Sequence, residues 1–141
     1  MPSPADTASG LLPATVVGGS SGWLLRVGRM DPSPDKIIAF FDSGGQNPDP
    51  RWLLDYPTFQ ARVRGSINGY PDTYDKAKQV KDVILGLTPQ DIGTDRWASV
   101  IMLGDIGFMG YDDKERPEFS VNFRAIIHPA ANALTQRDNI V

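Results

Sequence analysis

From Phe119 to Ile127 the chain alternates: Phe119, Val121, Phe123, Ala125 and Ile127 are apolar on one face, and Ser120, Asn122 and Arg124 lie on the other. A period of two is that of a strand with one face on a core and one in water. The same period runs through residues 58–67, with Phe59, Ala61, Val63 and Ile67 on one side and Gln60, Arg62, Arg64 and Ser66 on the other. Residues 23–30 put Trp23, Leu25 and Val27 on one face, which predicts another strand. Residues 36–41, KIIAFF, are apolar on both faces and suit a central strand. The prolines of Asp31-Pro32-Ser33-Pro34 between these two predict a turn.

One segment changes period. Over residues 72–87, Tyr74, Ala77, Val80 or Lys81, Ile84 and Leu87 recur at helical spacing with charges between them. Pro71 and Asp72 suit the first turn, Asp75 complements the N-terminal dipole, and Gly86 with Thr88-Pro89 stops the helix. Residues 98–109 then predict a strand broken at Gly104 or Gly107. The order is β-β-β-α-β-β: an α+β domain, a mostly antiparallel sheet with one main amphipathic helix packed on one face. The long connection 42–57 carries Trp52, Leu53 and Leu54, which either cover the edge of the chain's own sheet or form a docking loop for a partner.

Composition narrows the picture. The 141 residues support one core, and 14 glycines with 12 prolines favour turns and loops over a helical bundle. Residues 1–22 are rich in Ser, Ala, Pro and Gly and predict an extended N-terminal arm ahead of a single domain spanning 23–141. Such an arm would be held by a neighbouring copy, and losing it would leave the monomer's melting nearly unchanged. A net charge of −3 gives no cationic surplus for gripping a phosphate backbone. No apolar run approaches the length of a membrane span, and the N-terminus lacks the pattern of a signal peptide. Cysteine is absent and His128 is the single histidine, so disulfides, thiolate chemistry and His-His metal clusters are out of reach of one chain.

Candidate chemistry is sparse. Asp112, Asp113, Lys114, Glu115 and Arg116 fall in one short turn between two strands, where water solvates charges and the cations cancel the local field. Neither the glycine nor the glutamate spacing of a calcium-binding loop is met there. A small metal-dependent enzyme using Asp105, Asp112, Asp113 and Glu115 is the alternative from a different class. Asp42-Ser43-Gly44-Gly45 could form an anion nest, but Asn47-Pro48-Asp49-Pro50 forbids the helix that a phosphate loop needs next. Ser120 and His128 have no carboxylate placed to complete a triad. Polar strand faces remain. Arg62, Arg64, Asn122 and Arg124 would crowd cations onto one surface if their strands were neighbours, and a partner's carboxylates would relieve them. The turn at 112–118 and the acidic Asp72 and Asp75, on a neighbouring copy, could supply those carboxylates.

Several segments together resemble a known family. They are YPTFQARVRG at 56–65, the helix at 72–87 with its tyrosine near the start, Gly110-Tyr111-Asp112-Asp113-Lys114-Glu115-Arg116 followed by Glu118–Phe123, and Asp42–Gly45 upstream. In order and spacing, over roughly residues 23–127, the chain is similar to the tail terminator (minor capsid, tail completion) proteins of tailed bacteriophages. The resemblance implies an α+β fold and a ring, usually of six copies, in the virion neck at the head-proximal end of the tail. It implies assembly in the host cytoplasm. The ring would cap the tail tube protein, end its polymerisation and present a surface to the head-completion or connector protein, with DNA only passing through the lumen. It implies no cofactor, no metal, no catalytic residue and no membrane. On this reading Arg62, Arg64, Asn122 and Arg124 are subunit or tube contacts, and Asp112, Asp113, Lys114, Glu115 and Arg116 form an inter-ring hairpin tip. Another neck ring, such as a head-completion or stopper protein, is the nearest alternative. One departure stands out: the family leads one to expect a helix before the first strand, where this chain has only short apolar patches at Leu11-Leu12 and Val16-Val17.

Overall fold

The two alternating segments lie side by side. In the computed structural model, which describes residues 3–13, 15–17, 21–49, 54–92 and 95–128, Phe59 stands opposite Phe123, Ala61 opposite Val121 and Val63 opposite Phe119. Their apolar faces therefore coincide, as the shared period requires. Among the described residues the order is α1 (Pro4–Ser9), β1 (Leu24–Val27), β2 (Ile37–Gln46), β3 (Tyr56–Arg64), α2 (Tyr70–Leu85), β4 (Gln90–Ile92), β5 (Asp95–Met102), β6 (Gly107–Tyr111) and β7 (Pro117–His128). The sheet runs β1-β2-β3-β7-β5-β4, with β6 also on β7.

Strands β5 and β6 are two halves of one partner. β5 pairs with Phe123–His128 and β6 with Pro117–Ser120, both antiparallel. The break between them is the interruption expected near Gly104 and Gly107. β3 takes the opposite side of β7, so the 12-residue β7 is the spine of the sheet.

Three features differ from the expected β-β-β-α-β-β order. First, β1 and β2 are parallel, with Leu24 opposite Ile37 and Val27 opposite Phe40. The turn at 31–34 belongs to a loop, 28–36, that carries the chain back to the start of β1. Alternation is the same in parallel and antiparallel strands, so the pattern carries no direction. Second, β2 continues through Asp42–Gln46, across a register shift between Asp42 and Gly45. A Cβ on Gly45 (φ +135°) would run into the Tyr56 carbonyl, so this close approach requires glycine. Third, a short β4 pairs with β5 between the helix stop at Thr88-Pro89 and the strand expected from residue 98, where no strand was expected.

The N-terminal segment is not an extended arm. Ser3 caps α1 by accepting from the Asp6 N–H (3.2 Å), and the Ala5 N–H reaches Asp42 Oδ1 on β2 at 2.9 Å. Ala5, Ala8, Leu12, Val16 and Val17 are buried in the same core as Trp23, Ile38, Phe40 and Phe59. The helix that the family resemblance leads one to expect is thus present, built from alanines where a larger apolar stripe was sought. Small side chains let it lie close to the sheet.

Helix α2 covers the remainder of this face with Thr73, Lys76, Ala77, Val80 and Ile84. Its amphipathic stripe is shifted by part of a turn from the expected one, because Tyr74 is about half exposed and Lys76 is buried. Lys76 Nζ donates to the Val16 carbonyl (3.0 Å) and to Gln79 Oε1 (2.7 Å), and lies 5.6 Å from the Trp23 ring. Burial, then repulsion from Lys36, holds its pKa below the ordinary lysine value. The cation therefore ties the N-terminal segment to α2.

Candidate interaction surface

The opposite face of the sheet is polar and carries a side-chain ladder. Arg62 Nε donates to Gln60 Oε1 at 2.7 Å, and Gln60 Nε2 donates to Asn122 Oδ1 at 3.0 Å. Arg124 Nη1 donates to Gln46 Oε1 at 2.6 Å, and Ser43 and Thr58 share a hydroxyl pair at 2.7 Å. The Arg62 guanidinium lies 5.1 Å from the Phe41 ring centroid. Arg62 stands opposite Ser120 and Arg124 opposite Thr58, so the amide pair lies between the two cations, about 13 Å apart along the strand. They do not crowd one another as the sequence suggested. Among the described residues neither meets a carboxylate.

Arg64 leaves this set. It is 4% exposed, and it donates through Nε to the Asp35 carbonyl (3.1 Å) and through Nη2 to those of Asp31 (2.7 Å) and Pro34 (2.8 Å). It holds the 28–36 loop over the end of the outer face, where Ile37 is fully buried. Alternation placed Arg64 on the correct face; the loop that covers it came from elsewhere in the chain.

Arg116 departs from the exposed hairpin tip in the same way. At 3% exposure it pairs with Asp112 (2.8 Å) and Asp35 (3.0 Å), and it donates to the Pro32 carbonyl at 2.7 Å. Asp112 accepts from the backbone N–H groups of Lys114 (3.0 Å) and Arg116 (2.9 Å) as well. Burial alone would raise the Asp112 pKa. The Arg116 N–H and guanidinium and the Lys114 N–H outweigh it and hold the carboxyl below its usual range. Only Asp113, Lys114 and Glu115 remain as an exposed tip. Glu115 sits at φ +61° after the Asp112–Glu115 turn, a left-handed position that costs a side chain about 1 kcal/mol. Glu115→Gly is expected to raise stability by about 0.5–1 kcal/mol in urea unfolding. An unchanged midpoint would mean that the Glu115 side chain compensates for its backbone.

The carboxylates considered for a metal do not converge. Asp105 pairs with Lys81 at 2.9 Å and Asp112 with Arg116, and among the described residues no group of three or more acidic or histidine side chains could hold an ion. His128 and Ser120 lie eight positions apart on β7, about 26 Å, so no triad forms. Trp52 and Leu53 fall outside the described residues. Leu54 is half-buried, and its carbonyl accepts from the Asp49 N–H at 3.0 Å. No helix among the described residues is long and apolar enough to cross a membrane.

Sequence reasoning missed an exposed apolar edge. β6 pairs only with β7 among the described residues, and Phe108 and Met109 (each 45% exposed) and Tyr111 (59%) project from it. Phe108 meets Tyr70 of α2 at 5.2 Å, Phe119 at 5.3 Å and Tyr111 at 5.3 Å, in tilted or edge-on geometry. Natural edge strands are usually blunted by charge or proline; this one carries aromatics. The signal was in GFMGY, whose apolar residues directly precede a charged turn. A surface of this kind suits protein contact. The sequence pattern of a family described as bacteriophage tail terminator protein matches residues 7–129, from within α1 through the end of β7. No curated protein matches the chain.

Proposed function

The chain belongs to the bacteriophage tail terminator family, a structural family of the virion, and from that premise we propose that it works as a ring at the head-proximal end of the tail. Copies of the chain, six by analogy with the family, close an annulus in the neck. The ring seats on the last layer of tail tube protein, ends its polymerisation and presents its other side to the head-completion or connector protein. Assembly takes place in the host cytoplasm, and DNA only passes through the lumen. The chain acts by binding alone, with no cofactor.

The observation that carries this reading is the exposed aromatic edge of β6 in a chain whose family match spans the whole described sheet. An apolar edge costs solubility and is favoured where a partner covers it. The net charge of −3 supports a lumen along which DNA moves without sticking. The test is to add the purified chain to growing tail tubes and measure tube length by electron microscopy. Tubes should stop growing and carry density at one end. Binding to connectors but not to tube ends would instead assign the chain to a stopper ring.

A further inference from the structure

Two surfaces of the chain complement each other in charge, and among the described residues their charged groups do not pair within one copy. On the outer sheet face, Arg62 and Arg124 are held by Gln60, Phe41 and Gln46 and meet no carboxylate among the described residues. At the turn that follows β6, the exposed carboxylates of Asp113 and Glu115 have no cationic partner among the described residues, nor has Asp72, two positions past the Tyr70 that packs on Phe108. Both places also expose apolar area: Phe108, Met109 and Tyr111 at the edge, and Ile101 (39% exposed) near Arg124 on the face.

We propose that the β6 edge of one copy seats on the outer sheet face of the next, with Asp113, Glu115 and Asp72 received by Arg62 and Arg124. The inference rests on the ring reading and gives that ring its contact. The two surfaces lie at different places on one sheet, so the contact is heterologous: each copy offers an edge to one neighbour and a face to the other. Such a contact repeats by rotation and closes into a ring when the rotation divides the circle. An isologous pair would use one patch twice, and would set like charges against each other. The occupant is a second copy because this chain carries both halves of the charge pattern. The guanidiniums are also pre-positioned, Arg62 through Nε and Arg124 through Nη1, and among the described residues their other N–H groups make no further side-chain bond.

Charge reversal on each surface tests this. One variant carries Arg62→Glu and Arg124→Glu, the other Asp113→Lys and Glu115→Lys. Each alone should stay single, by light scattering, at concentrations where the parent chain assembles, with association weakened at least ~100-fold. Combining all four substitutions in one chain, or mixing the two variants, should restore assembly. Circular dichroism melting confirms that each variant is folded. The proposal fails if folded variants assemble like the parent, or if neither mixing nor combination restores association. It fails also if the variants form intact rings that have lost only tube binding, which would give these surfaces to the tube protein. A parent chain that stays single at high concentration overturns the ring reading itself, an outcome distinct from the others.

Discussion

Removing residues 1–17 is expected to lower the melting temperature of the isolated chain by about 10–15 °C, corresponding to about 3–5 kcal/mol in a domain of this size. The composition of this segment suggested an arm whose loss would go unnoticed by the monomer. Its contacts argue the reverse. Leu12, Val16 and Val17 are each less than a tenth exposed, and Ala5 and Ala8 are fully buried, all within the principal core. Deletion would uncover Trp23 and leave the Lys76 ammonium without the Val16 carbonyl, inside a site already unfavourable to its charge. Leu12→Ala should reproduce part of the effect, about 2–3 kcal/mol, as a graded control. The measurement is thermal unfolding followed by circular dichroism at a concentration low enough to keep the chain single. Unchanged melting of the deletion would show that the segment contributes nothing to the monomer.

Arg116→Ala carries the other large effect, a loss of about 3 kcal/mol. The guanidinium is the common partner of the hairpin and of the 28–36 loop: it binds Asp112 at one end, and Asp35 with the Pro32 carbonyl at the other. Truncation strands a mostly buried Asp112 carboxylate and frees the loop from one of the arginines that anchor it, leaving Arg26 and Arg64. Arg116→Lys should recover only part, since one ammonium cannot reproduce the fork. The pH dependence separates electrostatics from packing. Asp112 is held below its usual pKa when folded, so its contribution is fully present above about pH 4 and is lost as pH falls through the folded value. The parent should lose stability over that acid range, and Arg116→Ala should show a shallower acid slope. Parallel pH profiles would place the loss in packing instead.

Much of the sheet was legible because burial on one face writes itself into every second residue. Phe59, Ala61 and Val63 on β3 and Phe119 to Ile127 on β7 could be assigned before their register was known. The helix was displaced by two residues at each end, expected at 72–87 and found at 70–85. Direction and long-range partners were not legible. Arg64 and Arg116 look like surface cations in sequence, and are buried because loop carbonyls 29 and 84 positions away come to meet them. Asp42–Gly45 looks like a turn because its glycines are known for turns, whereas here one of them admits a bulge. The exposed β6 edge was hidden for another reason: residues 98–109 read as a strand, and only the pairing of strands shows that among the described residues no further strand lies along β6.

Strand β7 has a mechanical meaning as well. It runs unbroken for 12 residues, about 36 Å, clamped on one side by β3 and on the other by β5 and β6 in succession. The charged tip lies at one end of this strut and Trp97 with Ile127 at the other. A rod braced on both flanks has no hinge, so a push received at the tip travels as displacement of the whole body. The charged tip and the Trp97–Ile127 end are thus kept at a fixed gauge, set by the length of a single strand.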